Sequence, residues 1–170
     1  MRRFVSLKSE KQDFLLHQFP NLMEIDACED GYGYTKIAVS YFDHWLSESE
    51  AYKAFLNVGL EESVNRKNKQ LEFCRQLFNS TEVLNYKIYG RPNNRRVKFR
   101  AFSDDNVALR YCSDAYDKFS SIFFFKLVIP EYSALYYQGY DATNYLYYRG
   151  GELSNKLKSL VYGSGLNVLE

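Results

Sequence analysis

Hydrophobic and polar residues alternate most cleanly between Leu84 and Ala101. Leu84, Tyr86 and Ile88 alternate with Asn85, Lys87 and Tyr89. Beyond a loop at Gly90-Arg91-Pro92-Asn93-Asn94, Val97, Phe99 and Ala101 alternate with Arg96, Lys98 and Arg100. Period-two spacing sends successive side chains to opposite faces of an extended strand, so this segment predicts a hairpin with one apolar and one basic face. The loop is longer than a two-residue turn and leaves the register open.

A three-four spacing takes over elsewhere. Leu60, Val64, Leu71, Cys74 and Phe78 fall on one stripe, interrupted by Lys67, while Glu61, Glu62, Arg66, Lys69 and Arg75 fall outside it. The pattern predicts an amphipathic helix from Leu60 to Phe78 with one face on a core. Ser9 and Gln12 stand at capping-box spacing ahead of Phe14, Leu15 and Phe19, predicting a first helix that Pro20 ends. Ser47 is placed to cap a short helix through Ala51 and Phe55 that stops at Gly59. Residues 22–28 read as a short strand, Asp30-Gly31 as a turn, Lys36 to Phe42 as a strand and Asp105 to Phe119 as a short helix.

The apolar run from Ser121 to Pro130 reads as a strand buried on both faces. Tyr132–Gln138 and Asn144–Arg149 read as two further strands around Gly139-Tyr140-Asp141. Gly150-Gly151 leads into a last helix bearing Leu153, Leu157, Leu160 and Val161, which Gly163 stops before a strand over Leu166–Leu169. These elements predict one α+β domain spanning residues 1–170, with a mainly antiparallel sheet and about four helices packed against it. They lack the regular strand–helix alternation of a doubly wound parallel fold.

Composition sharpens this picture at one point. Aromatic residues make up 18% of the chain, and seven of the 16 tyrosines lie between Tyr132 and Tyr148. Tyrosine combines apolar area with a polar handle and concentrates at protein interfaces when exposed. The adjacent pairs Tyr136-Tyr137 and Tyr147-Tyr148 must point to opposite faces of their strands. Either the sheet is covered on both sides, or one aromatic face meets a partner, with Tyr137 and Tyr148 as candidate contacts.

The net charge of +1 excludes a strongly basic nucleic-acid coat and an acidic nucleic-acid mimic, so a charged partner has to meet a local patch. Lys87, Arg91, Arg95, Arg96, Lys98 and Arg100 supply one. Guanidinium groups grip phosphates and carboxylates bidentately. The same side chains also serve as a solvated face that discourages edge-to-edge aggregation, and Asp104 or Asp105 is placed to neutralise them. Only Tyr89 joins the basic side of the hairpin, which weakens a base-stacking reading.

Catalytic chemistry has few carriers. The two histidines are His17, in the first helix, and His44, beside Asp43 at a strand-to-helix corner. Adjacent residues seldom aim side chains at each other, and no nucleophile-elbow motif accompanies the pair. The sequence has no paired-cysteine motif, histidine pair or calcium loop. Asp104, Asp105, Asp114 and Asp117 are more simply helix-capping and solvated residues than magnesium ligands. No cofactor is expected. Three widely separated cysteines suit reduced thiols in the cytoplasm. Neither a signal peptide nor a membrane span is read, so no membrane partner is expected.

The leading expectation is a non-enzymatic intracellular protein-binding module, an adaptor, inhibitor or immunity-type protein. It would use the tyrosine-rich sheet and the basic hairpin, with a homodimer as one way to cover an open sheet face. One alternative is a nucleic-acid-associated protein using residues 87–100, and another is an enzyme around Asp43 and His44.

Overall fold

The computed structural model describes residues 2–27, 32–56, 58–117, 124–139 and 143–170. Eight strands form one antiparallel sheet. In chain order the elements are β1 (Phe4–Ser6), α1 (Ser9–Gln18), α2 (Leu22–Ala27), β2 (Thr35–Ser40), α3 (Glu48–Phe55) and α4 (Leu60–Ser80). There follow β3 (Leu84–Tyr89), β4 (Arg96–Phe102), α5 (Asp105–Asp117), β5 (Lys126–Ile129), β6 (Ala134–Tyr137), β7 (Thr143–Tyr148), α6 (Asn155–Gly163) and β8 (Asn167–Leu169). The sheet order is β1-β4-β3-β5-β6-β7-β2-β8. The α+β class is as the sequence predicts, but six helices stand among the described residues instead of about four.

Both faces of the sheet are covered by the chain itself. On one face Tyr136, Leu146 and Tyr148 pack with Phe73, Cys74 and Leu77 of α4, Cys112 of α5 and Leu157 and Val161 of α6. On the other, Leu84, Tyr86, Phe99, Leu135, Tyr137 and Tyr147 pack with Leu15 and Phe19 of α1 and Leu22 and Ile25 of α2. Neighbouring tyrosines therefore end in different cores, as period-two geometry requires. Fully burying one such side chain stabilises the fold by about 1.5–3 kcal/mol, so this stretch anchors the interior.

Several local expectations are corrected. Residues 22–27 are helical, not extended, because Leu22 and Ile25, three apart, share the buried side. Ser9 does not cap α1: its N-cap is Lys8, without a side-chain cap bond. Ser47, in contrast, completes a capping box with Glu50 at α3. The buried stripe of α4 is Gln70, Phe73, Cys74 and Leu77, in its second half, whereas Leu60 at its start is 83% exposed. At the far end Gly163 is the last residue of α6, and the chain turns at Gly165, with φ of +75°. Strand β1, three residues long, carries too short a pattern to be read from sequence. Asp30-Gly31, residues 121–123 and Tyr140-Asp141 lie outside the described residues.

Candidate functional site

The β3–β4 hairpin has the apolar and basic faces that its alternation predicts, and its register, left open by the sequence, sets Tyr86 opposite Phe99 and Ile88 opposite Val97 on the side of α1. The opposite side carries Asn85 opposite Arg100, Lys87 opposite Lys98, and Tyr89 opposite Arg96. Gly90, with φ of +107°, lets the loop fold back on itself, since a Cβ there would run into the Asn94 carbonyl. A single 3-10 turn at Pro92–Asn94 then returns the chain. Arg91 and Arg95, at the two ends of that turn, are both exposed.

The six basic residues separate into two groups. Arg100 is structural: its guanidinium donates to Asn85 Oδ1 and stacks 3.8 Å from the centre of the Phe4 ring. Burial pulls its pKa below the usual arginine value. Lys87, Arg91, Arg95 and Arg96 are exposed and Lys98 is half-buried, and no carboxylate pairs with any of the five among the described residues. Asp104 does not neutralise them. It caps α5 by accepting from the Val107 N–H at 2.9 Å. Lys87 and Lys98 face each other directly across the ladder, an arrangement that repulsion disfavours.

Beside this hairpin lies a cleft of about 560 Å³, lined by Leu16, Phe19, Leu22, Glu24 and Val97 together with the basic-side residues Tyr89, Arg96 and Lys98. Gln12 closes one end of it. Its amide donates to the Phe99 carbonyl at 2.7 Å and accepts from the Phe99 N–H at 2.9 Å, acting as a one-residue strand at the sheet edge. The sequence pattern assigns Gln12 to a helix cap and gives no signal for the cleft, because both arise from where α1 lands on the sheet.

Tyr137 and Tyr148 are interior residues, each 8% exposed. Tyr137 Oη lies 2.5 Å from Tyr86 Oη in the α1–α2 core. Its neighbour Tyr136 enters a polar network in the other core. There the Asn144 amide nitrogen lies 2.7 Å from Gln70 Oε1, 2.6 Å from Tyr116 Oη and 2.5 Å from Tyr136 Oη. Burial drives the Tyr116 and Tyr136 phenols well above the ordinary tyrosine pKa, so they stay neutral, accepting from the Asn144 amide and donating to Gln70 Oε1.

His44 does meet Asp43, contrary to the sequence expectation. Its Nδ1 lies 2.6 Å from Asp43 Oδ1, and its Nε2 lies 3.3 Å from Glu50 Oε1. Glu50 also accepts from the Ser47 hydroxyl and N–H, which with His44 pulls its pKa down to about 2. Hydrogen bonds that the ring nitrogens donate to Asp43 and then Glu50 raise the imidazole pKa and favour its charged form. Both ring nitrogens are thus held by carboxylates on an exposed surface. Nearby, Trp45, Tyr52, Leu56 and Leu60 are exposed.

Among the described residues no group of three or more His, Cys, Asp or Glu side chains is arranged to hold a metal ion. Asp114 instead pairs with Arg3 at 3.1 Å. No described helix is long and apolar enough to cross a membrane. Compared with known proteins, the chain matches no family model, no curated protein and no solved structure.

Proposed function

We propose that the protein is a non-enzymatic, intracellular protein-binding module whose contact surface is the basic end of the β3–β4 hairpin and the cleft beside it. The observation that carries this reading is the set of five cationic side chains, Lys87, Arg91, Arg95, Arg96 and Lys98, left without a carboxylate partner among the described residues. Two of them sit directly opposite each other. Like charges so placed destabilise a hairpin, and an acidic partner relieves the repulsion as it binds. The tyrosine-rich sheet contributes indirectly, as the rigid interior on which the hairpin is mounted.

A second reading is supported by Tyr89, which is 42% exposed and stands opposite Arg96 on the basic face. That pairing suits stacking on a single-stranded base, with phosphates held by the neighbouring cations.

The test is capture from a lysate of the source cells with wild-type protein and with the Lys87→Glu/Arg96→Glu/Lys98→Glu variant, each with and without nuclease. A protein retained by wild type after nuclease and lost with the variant supports the binding-module reading. Material lost on nuclease treatment, with retention falling steeply as salt rises, supports nucleic acid instead.

A further inference from the structure

We infer that the hairpin's partner contributes an extended strand, acidic on one face and apolar on the other, that pairs with the edge of β4 left unpaired among the described residues. The inference rests on the acidic-partner reading above and adds a backbone geometry to it. Strand β1 pairs with β4 only at Arg100, Ala101 and Phe102. The outward direction of the edge is fixed by two observations. Ser103 N–H donates to the Arg3 carbonyl at 3.1 Å, and both polar backbone groups of Phe99 bond to Gln12. Backbone groups alternate sides along an antiparallel strand, so those of Val97 point the same way, just past the point where Gln12 stops. Arg95 is also extended, with φ of −74° and ψ of 143°, and continues the edge.

A strand laid against this edge has its side chains sorted by the pleat. On one face they lie beside Arg96 and Lys98, where opposite charge is favoured. On the other they lie beside Val97, toward the cleft that Leu16, Phe19 and Leu22 line together with Arg96 and Lys98. The apolar side chains of Leu16, Phe19, Leu22 and Val97 favour an apolar side chain at that position. The segment therefore reads acidic, apolar, acidic at successive positions. Backbone bonds give such an added strand its affinity, and the alternate side chains give it specificity. A second copy of this chain is poorly suited to the same edge, because β4 against β4 would bring Arg96 and Lys98 up to their own counterparts.

Three capped synthetic peptides separate the possibilities by fluorescence anisotropy and amide exchange. The first alternates glutamate and leucine. The second has the same composition in two blocks, and the third is the first with alternate backbone nitrogens methylated. The expected result is that the alternating peptide binds at least about tenfold more tightly than either control, the effect of losing one or two net hydrogen bonds. It also slows exchange of the Val97 amide, and binding disappears with Arg96→Glu/Lys98→Glu. Equal binding of all three peptides, still abolished by that variant, keeps the acidic-partner reading and overturns strand addition. Binding of none of them overturns both, and retention of single-stranded RNA under the same conditions then identifies the alternative partner.

Discussion

Two regions of this molecule have unusual composition, and they handle polar groups in opposite ways. The tyrosines of β6 are buried, and their hydroxyls are matched inside the fold, Tyr136 by Gln70 and Asn144, Tyr137 by Tyr86. The cations of the β3–β4 hairpin are matched by nothing acidic among the described residues, and Lys87 is set against Lys98. A satisfied buried network fixes one structure, whereas an uncompensated surface charge leaves interaction free energy available to something outside the chain. Composition alone could not assign these roles. Tyrosine is common both in cores and at interfaces, and what decides here is the pair of helical layers over the sheet.

The comparison breaks most readily at its interior end. Phe73→Ala removes a fully buried ring that meets Tyr136 edge-on, with centroids 4.9 Å apart. Chemical denaturation is expected to show a loss of about 3–5 kcal/mol. Under conditions where the variant remains folded, its affinity at the hairpin should be unchanged. A fall in that affinity would show that the two regions are coupled.

Alkaline titration probes the same interior without mutation. Burial pushes the Tyr34 and Tyr111 phenols up to about 12 from an ordinary 10.0. The native state retains protons that the unfolded chain releases near pH 10, so the stabilising contribution is complete below pH 10 and is lost between 10 and about 12. Each group accounts for up to ~3 kcal/mol across that window. Phenolate absorbance should rise together with loss of structure, and ionisation of both groups in a still-native protein would contradict their burial.

A smaller effect separates the adjacent tyrosines. Tyr137→Phe removes the partner 2.5 Å from Tyr86 Oη in a buried setting, with an expected loss of about 1–2 kcal/mol by denaturation. Binding at the hairpin should not change. If it weakens while the fold is intact, the tyrosine layer takes part in recognition after all.

How far these regions were legible depends on the range of the interactions that form them. The hairpin faces follow from alternation within Leu84–Ala101, and the observed register repeats them. The α3 cap is likewise local, with Ser47 and Glu50 three residues apart. By contrast, α2 carries no legible period, since Leu22 and Ile25 are its two buried positions among residues 22–25, too few for a repeat to show. Leu60 and Val64 fit the helical stripe of α4 yet stay exposed, since periodicity does not say how much of a helix is covered by its neighbours. The Gln12 clamp joins residues 87 positions apart and had no sequence signature at all. The cationic residues were visible as a cluster, but the departure of Arg100 from it required knowing that Phe4 arrives from β1.

The finest test reverses the usual sign of a damaging mutation. Lys87→Glu replaces a like-charge pair across the ladder with an opposite-charge pair to Lys98, at an exposed position where no described residue depends on the ammonium. Cross-strand pairs of this kind are worth about 0.2–1 kcal/mol, so the variant should be slightly more stable than wild type. Added salt should shrink that gain, because the interaction is solvent-exposed and screened over about 10 Å at 0.1 M. The same substitution places a carboxylate where an acidic partner is expected, and binding should weaken as stability rises. A residue kept against its own stability is the signature of a surface retained for recognition. Were Lys87→Glu both more stable and equally good at binding, the repulsion would be incidental, and the basic hairpin would be no more than a solvated edge.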